Sequence, residues 1–516
     1  MRAASSVDPS YFAAMLIASV VLASSLNADV AKVERRYDRV ESKQLVPLAS
    51  EAIQFPTYEH NDEAHRDQKA WLMRKANDLG FVARDAGKIV EIELPAKAAG
   101  APVLGLVVHG DVQPVDADAW SFPPFSGRVD GGYLLGRGSA DDKGPLAQAL
   151  VAMKALKESG VPRTHTIRLL VGSTEESEAT EMAEYLKSHQ APDYSLVLDS
   201  EFPVVVGEKA WDLLTVSTPL DERDSSTPYM VATLSAGLAP SIVPDRAEVA
   251  LRWRAGTPEW QPLIDALGKV TLPEGTRLVT RADGDALRIV TYGRSAHAGV
   301  NLTGGRNALV ALARLMEGRL PRGGADDLLA FARAAGQDLY GTGLGIKDDD
   351  PLWGRYAVNL ATIKTSTEDA KRTSLGINLR RIPPRLAPQA KVSLESFVAD
   401  FNRRTGASLT TPATENYFED EPLGFNPNAK FVRRLLDDYA VATGRRAKPA
   451  ISGGGTYAKR LPNAIAFGMW FPGKPYPGHD VDEKISVEDL QRGTRVLIRA
   501  LVDIATGPRI EEPFKP

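Results

Sequence analysis

The 516-residue chain contains no cysteine. Disulfides therefore cannot brace the fold, and any metal site has to be built from histidine and carboxylate. The absence is compatible with either redox compartment. A surplus of positive charge is missing too. Lys and Arg number 62 against 66 Asp and Glu, a formal net charge of −4. Nothing drives such a chain onto phosphate backbones, so nucleic acid is not an expected partner. Beyond residue 28 no stretch is long and apolar enough to cross a bilayer. What remains is ordinary for a folded soluble protein, with 43% apolar and 25% charged residues. The length exceeds what one hydrophobic core usually holds, so two or more domains are expected.

The N-terminus carries a pattern of its own. Arg2 precedes an apolar run from Tyr11 to Leu26, and charge resumes at Asp29. A positive start, a short apolar middle and small residues before a charged segment read as a signal peptide over 1–28. Cleavage is expected after Ser25 or Ala28. Asp8 is out of place in a positive region, and an uncleaved anchor or a start at Met15 is the alternative. The expectation is export, to a periplasm, with no stable membrane insertion after cleavage; a cytoplasmic location is the alternative.

Farther along, Val103–Val108 is a buried apolar run that ends at His109. Leu146–Leu156 has the spacing of a helix stopped by Gly160. Thr166–Gly172 reads as a strand, Ala179–His189 as a helix and Leu196–Leu198 as a strand. Strands alternating with helices predict an α/β domain with a mixed, mostly parallel sheet flanked by helices. Near residue 212 the chain turns to charged, turn-rich segments with short strands. Near 418 the earlier pattern resumes, with a helix over Lys430–Thr443 and a strand over Ala464–Trp470. The reading is a catalytic domain of 29–211 and 418–516, interrupted by an inserted α+β lid over 212–417.

Ligands of parallel sheets bind beyond the carboxyl ends of the strands. His109, Glu175, Glu176 and Asp199 all fall where a predicted strand ends. Asp141 lies in a glycine-rich turn before a helix, and His479 follows the last core strand in Pro-Gly-His-Asp. A lone histidine, a Glu pair or an Asp-Asp turn is usually structural; their convergence on one sheet edge is what carries weight. The residue types suit amide hydrolysis. Bound zinc lowers the pKa of its water to roughly 7, and a second metal stabilises developing charge. A carboxylate can bridge the two, and a further unligated carboxylate takes the proton. The Glu175–Glu176 pair can supply one ligand and one base. Asp111 can accept the second N–H of His109 and fix its tautomer.

These segments also carry a resemblance. Six stretches occur in order: His109 through Trp120, Phe125 and Gly136 to Gly144; Ser173–Ser177; Leu198–Pro203 with Gly207–Lys209; Gly293–Gly299; Gly453–Tyr457; and Gly478–Asp480. Together they resemble the co-catalytic zinc aminoacylase and carboxypeptidase superfamily, and within it the dipeptidase V type. The resemblance implies two Zn2+ ions, with Mn2+ or Co2+ as substitutes. Asp141 would bridge them, Glu176 and His479 would complete one shell, and His109 and Asp199 the other. Glu175 would be the general base, and the Asp141–Asp142 peptide bond would be cis. In the lid, His297 would polarise the scissile carbonyl and stabilise the oxyanion. Arg380 would grip the substrate's carboxylate, and Gly454 and Gly455 would let the backbone approach it. The implied substrate is a small peptide, a dipeptide above all. Aminoacylase action on N-acyl amino acids is the alternative, and a non-catalytic binding protein of the same fold a remoter one. The lid is about twice a single small α+β unit, which implies a self-sufficient monomer rather than a dimer. One departure is visible: Ser241-Ile-Val-Pro-Asp245 lacks the Asn that dipeptidase V relatives often carry there.

Overall fold

The computed structural model describes residues 24–177, 179–224, 227–366, 372–419 and 421–511. The signal-peptide expectation therefore falls mostly on residues outside the described ones. Residues 24–28 begin a helix, in which Leu26 packs on the core and Asn27 accepts a hydrogen bond from Arg499 at 3.1 Å. Among the described residues no helix is long and apolar enough to cross a membrane.

Val103–His109 reads almost without interruption as apolar, and all but its first residue is buried. Such a run belongs in the middle of a sheet covered on both faces. Its sheet has six strands, in the order Val82–Ala86, Ile89–Leu94, Thr166–Gly172, Val103–His109, Tyr194–Val197 and Ala464–Ala466. The last four are parallel to one another, and the two pairs at the other edge are antiparallel. This is the mixed, mostly parallel α/β sheet that the alternation of patterns predicts. Leu104, Leu106 and Val108 face a core shared with the helices Ser42–Ile53, Lys143–Ser159, Lys430–Thr443 and Val487–Thr506. Val107 faces the other way, onto Met182, Tyr185, Tyr457 and Leu461.

Two elements differ from the sequence expectation, each for a local reason. The helix expected over Ala179–His189 is confined to Glu181–Leu186. Ala179 sits at φ 49°, outside the right-handed helical region, so the helix cannot begin there. The strand expected over Ala464–Trp470 is split into Ala464–Ala466 and Met469–Trp470. Gly468, at φ 75°, makes the break, and a Cβ there would lie 2.4 Å from the Phe202 ring.

A second, eight-stranded sheet uses the chain from Ala210 to Phe418. Every strand pairing within it is antiparallel. The helices Ala308–Leu315, Gly324–Ala335 and Ala387–Thr405 close a separate apolar core over it, through residues such as Leu312, Phe331 and Phe401. Its strand Arg372–Arg381 carries two adjacent arginines, both buried. Arg381 forms a two-pronged ion pair with the equally buried Asp212, at 2.9 and 3.3 Å. Removing one partner strands a charge in a dry interior. Asp212→Ala is therefore expected to destabilise the fold by about 3–5 kcal/mol, read as a lowered denaturant midpoint. An unchanged midpoint would show that water reaches Arg381 after all.

Candidate metal centre

The carboxyl ends of the parallel strands bring the expected side chains together. His109 closes its strand, and its Nε2 lies 2.9 Å from Asp141 Oδ1 and 3.8 Å from Asp199 Oδ2. His479 comes from the far end of the chain, with Nε2 2.9 Å from Glu176 Oε1 and 3.2 Å from Asp141 Oδ2. Asp141 thus offers one oxygen to each histidine, the geometry of a bridging carboxylate. The Asp141–Asp142 peptide bond is cis. Each imidazole is oriented from its other nitrogen: His109 Nδ1 lies 3.1 Å from the Asp111 carbonyl oxygen and His479 Nδ1 lies 3.3 Å from that of Ser241. Both Nδ1 atoms then donate, so a cation that displaced the Nε2 proton would meet a lone pair directed into the cleft. Donor atoms of His109, Asp141 and Glu176, and of His109, Glu175 and Asp199, lie within 4.8 Å of one another.

The electrostatics ask for cations. Asp141 is held well below the usual carboxylate range by His109 and His479, against the effect of burial. Burial pushes Glu175 and Asp199 well above that range, and neighbouring carboxylates push further: Glu176 and Asp111 on the first, Asp141 and Asp142 on the second. So many carboxylates in one buried cleft can all ionise only if positive charge enters with them. The donor set is oxygen and nitrogen, which suits zinc or manganese alike.

Asp111 stands somewhat differently from its expected role. Its carboxylate is 3.5 Å from His109 Nδ1, farther than its own carbonyl oxygen. The carboxylate instead accepts the backbone N–H groups of Glu175 at 3.2 Å and Glu176 at 2.9 Å. It fixes the turn that presents the Glu pair. Four further anchors of this centre were not apparent in the sequence. Gln113 donates to the Glu176 carboxylate at 2.9 Å, Glu181 accepts from the Thr174 amide and hydroxyl at 2.9 and 2.6 Å, and Tyr476 donates to Asp141. Glu483 accepts from the backbone of Gly138, Ala140 and Asp141, which holds the glycine-rich turn. Among the described residues none donates a hydrogen bond to the Glu175 carboxylate.

From the second sheet's side, His297 enters the same cleft, with its ring centroid 4.4 Å from that of His479. Its Nδ1 accepts from the Gly299 and Val300 amides at 3.0 and 2.9 Å. The ring proton must then sit on Nε2. Burial, with His479 and Arg380 nearby, holds its pKa well below the usual value, so the ring is a neutral donor. Arg380 is buried, and its guanidinium donates to Asn378 at 2.9 Å and Ser241 at 3.1 Å, with its other N–H groups uncommitted among the described residues. Burial lowers its pKa to about 10, still charged at neutral pH. Ser241, in the segment that departs from the expected pattern, is thus a direct neighbour of the arginine.

Gly454 and Gly455 line the cleft beside His297. The tightest approach, however, is made by Gly453, where a Cβ would meet the Gly299 carbonyl oxygen at 1.9 Å. The glycine run therefore seats the loop that carries His297, backbone against backbone. A larger cavity, of about 410 Å3, lies behind the Glu175 turn, between Gln68, Lys88 and Ser173, and holds none of the five expected ligands.

Comparison with known proteins identifies relatives of the chain. Residues 105–503 match the family described as peptidase family M20/M25/M40. The Beta-Ala-Xaa dipeptidase of Lactobacillus delbrueckii subsp. lactis is 28% identical over 410 residues, covering 79% of this chain and 83% of its own. YtjP of Bacillus subtilis is 27% identical over 407 residues, covering 79% and 84%. Human carnosine dipeptidase 1 shares the fold with a TM-score of 0.59 at 13% identity, over 93% of this chain and 98% of that one. The Saccharomyces cerevisiae di-peptidase Dug1p does so with a TM-score of 0.57 at 12% identity, over 92% and 98%.

Proposed function

The chain belongs to peptidase family M20/M25/M40, and on that premise we propose a metal-dependent dipeptidase whose catalytic residues are Glu175 and His297. The observation that carries the reading is Asp141, with one carboxylate oxygen on each of the two histidines. The donor set fits two zinc ions, which His109, Asp199 and Asp141 would hold on one side and His479, Glu176 and Asp141 on the other. When bound, they supply an acidified water and positive charge beside the scissile carbonyl.

The protein's own groups do the rest. Glu175, free of hydrogen-bond donors among the described residues, takes the proton of the attacking water on a carboxylate oxygen and delivers it to the leaving nitrogen. Asp111 positions it by holding two successive backbone amides. His297 donates from Nε2 to the carbonyl oxygen as negative charge develops there. Arg380 offers its uncommitted N–H groups to the substrate's carboxylate, and a fixed anchor of that kind limits the substrate's length. The histidine that completes the site belongs to the same chain, which supports a self-sufficient monomer. The packing of Leu26 and Asn27 favours cleavage of an export leader no later than Ser25, and a periplasmic location goes with it.

The test is release of free amino acids from dipeptides, β-Ala-Xaa included, tripeptides and N-acyl amino acids, by metal-stripped protein with and without added zinc. Zinc-restored cleavage confined to dipeptides is expected. Cleavage of N-acyl substrates alone would move the protein to the aminoacylases, and zinc-independent activity would overturn the site.

A further inference from the structure

Beside the metal centre lies a second cavity, of about 180 Å3, which has room for a side chain of several heavy atoms. Val300, Ser452 and Trp470 line both spaces, so the cavity adjoins the reaction centre. Its lining is mostly polar, with Val205, Ile451, Trp353 and Trp470 as the apolar and aromatic part. Two charged side chains face it. Lys209 is committed, since its Nζ donates to the carbonyl oxygen of Arg355. Glu201 is not: no hydrogen bond or ion pair engages its half-buried carboxylate among the described residues. Glu201 pairs in register with Trp470 across two short parallel strands, two residues beyond Asp199. The carboxylate is therefore held on an ordered backbone rather than a mobile tip.

A half-buried carboxylate with no partner among the described residues, in a mostly polar cavity beside the reaction centre that two tryptophans also line, is complementary to a cation. Indole faces attract ammonium and guanidinium groups, and a carboxylate adds a charge-assisted hydrogen bond. We propose that this cavity is a substrate subsite in which Glu201 binds a positively charged group of the peptide. The inference rests on the dipeptidase reading above and narrows its substrate class. The cation has two sources, the free amino terminus or a basic side chain, and both present the same chemistry to Glu201.

The experiment compares kcat/KM of the zinc-loaded wild type and Glu201→Gln on matched pairs: lysyl against norleucyl dipeptides at each position, and free against N-acetylated dipeptides. The wild type is expected to favour the charged member of one pair roughly tenfold to hundredfold, the span of one charge-assisted contact. Preference within a lysyl pair assigns a side-chain subsite; preference only for the free amino group assigns the terminus. In Glu201→Gln that preference should fall to about one through a raised KM, with metal content measured by elemental analysis unchanged. Should that variant fold poorly, the wild-type ratios alone still decide. A wild type indifferent to both kinds of charge, or a Gln variant that keeps the preference, overturns the proposal while leaving the dipeptidase reading intact. Failure to hydrolyse any dipeptide would instead sink that reading itself.

Discussion

Glu175→Ala is expected to lower kcat by about 10²–10⁴, the usual contribution of a positioned general base, while the protein keeps its full complement of metal. The argument is one of commitments. His109, Asp141, Glu176, Asp199 and His479 each have a histidine–carboxylate contact across the cleft. Among the described residues Glu175 has no donor on its carboxylate, only its backbone N–H fixed by Asp111. A side chain held from behind and free in front suits proton transfer. A rival assignment exists, because donor atoms of Glu175 also lie within 4.8 Å of those of His109 and Asp199. The two readings separate in one measurement of kcat alongside metal content. Lost turnover with retained metal makes Glu175 the base. Lost turnover together with lost metal makes it a ligand, and near-normal turnover removes it from the chemistry.

Much of this centre was legible because strand ends are legible. An apolar run that stops at His109 and another that stops at Gly172 place two site segments on one edge before any contact is known. The ligands follow from that placement and from the residue types an N/O metal site needs. The anchors behind them were not legible, since a helpful contact between distant segments leaves no local pattern. Gln113 and Glu176 are 63 residues apart, and Tyr476 reaches Asp141 across 335. Each reads alone as an unremarkable polar or aromatic residue. Asp111 was picked out by its spacing from His109, yet its carboxylate mainly holds the Glu175 and Glu176 amides. Spacing of two fixes proximity but not which polar group a carboxylate meets first. The break at Gly468 was hidden for a similar reason, because it depends on where the Phe202 ring packs.

His297→Ala is the second large effect expected: a fall in kcat of about 10²–10³, the measured cost of losing one oxyanion donor elsewhere, with metal content little changed and the thermal midpoint somewhat lowered, because the Gly299 and Val300 amides lose their acceptor. The tautomer carries this prediction. Two backbone amides occupy Nδ1, so the ring cannot donate from there and must present Nε2–H. Burial beside His479 and Arg380 depresses its pKa, so it acts as a neutral donor and does not gain a proton near neutral pH. The loss in the Ala variant should therefore be nearly constant between about pH 6 and pH 8, where an unperturbed histidine would titrate. A deficit that grew as pH fell through 6.5 would mean that the imidazolium is the active form. Because the ring comes from the same chain as the ligands, activity per chain should also hold constant on dilution. Recovery of activity on mixing the His297→Ala and Glu175→Ala variants would show instead that the histidine is supplied between subunits.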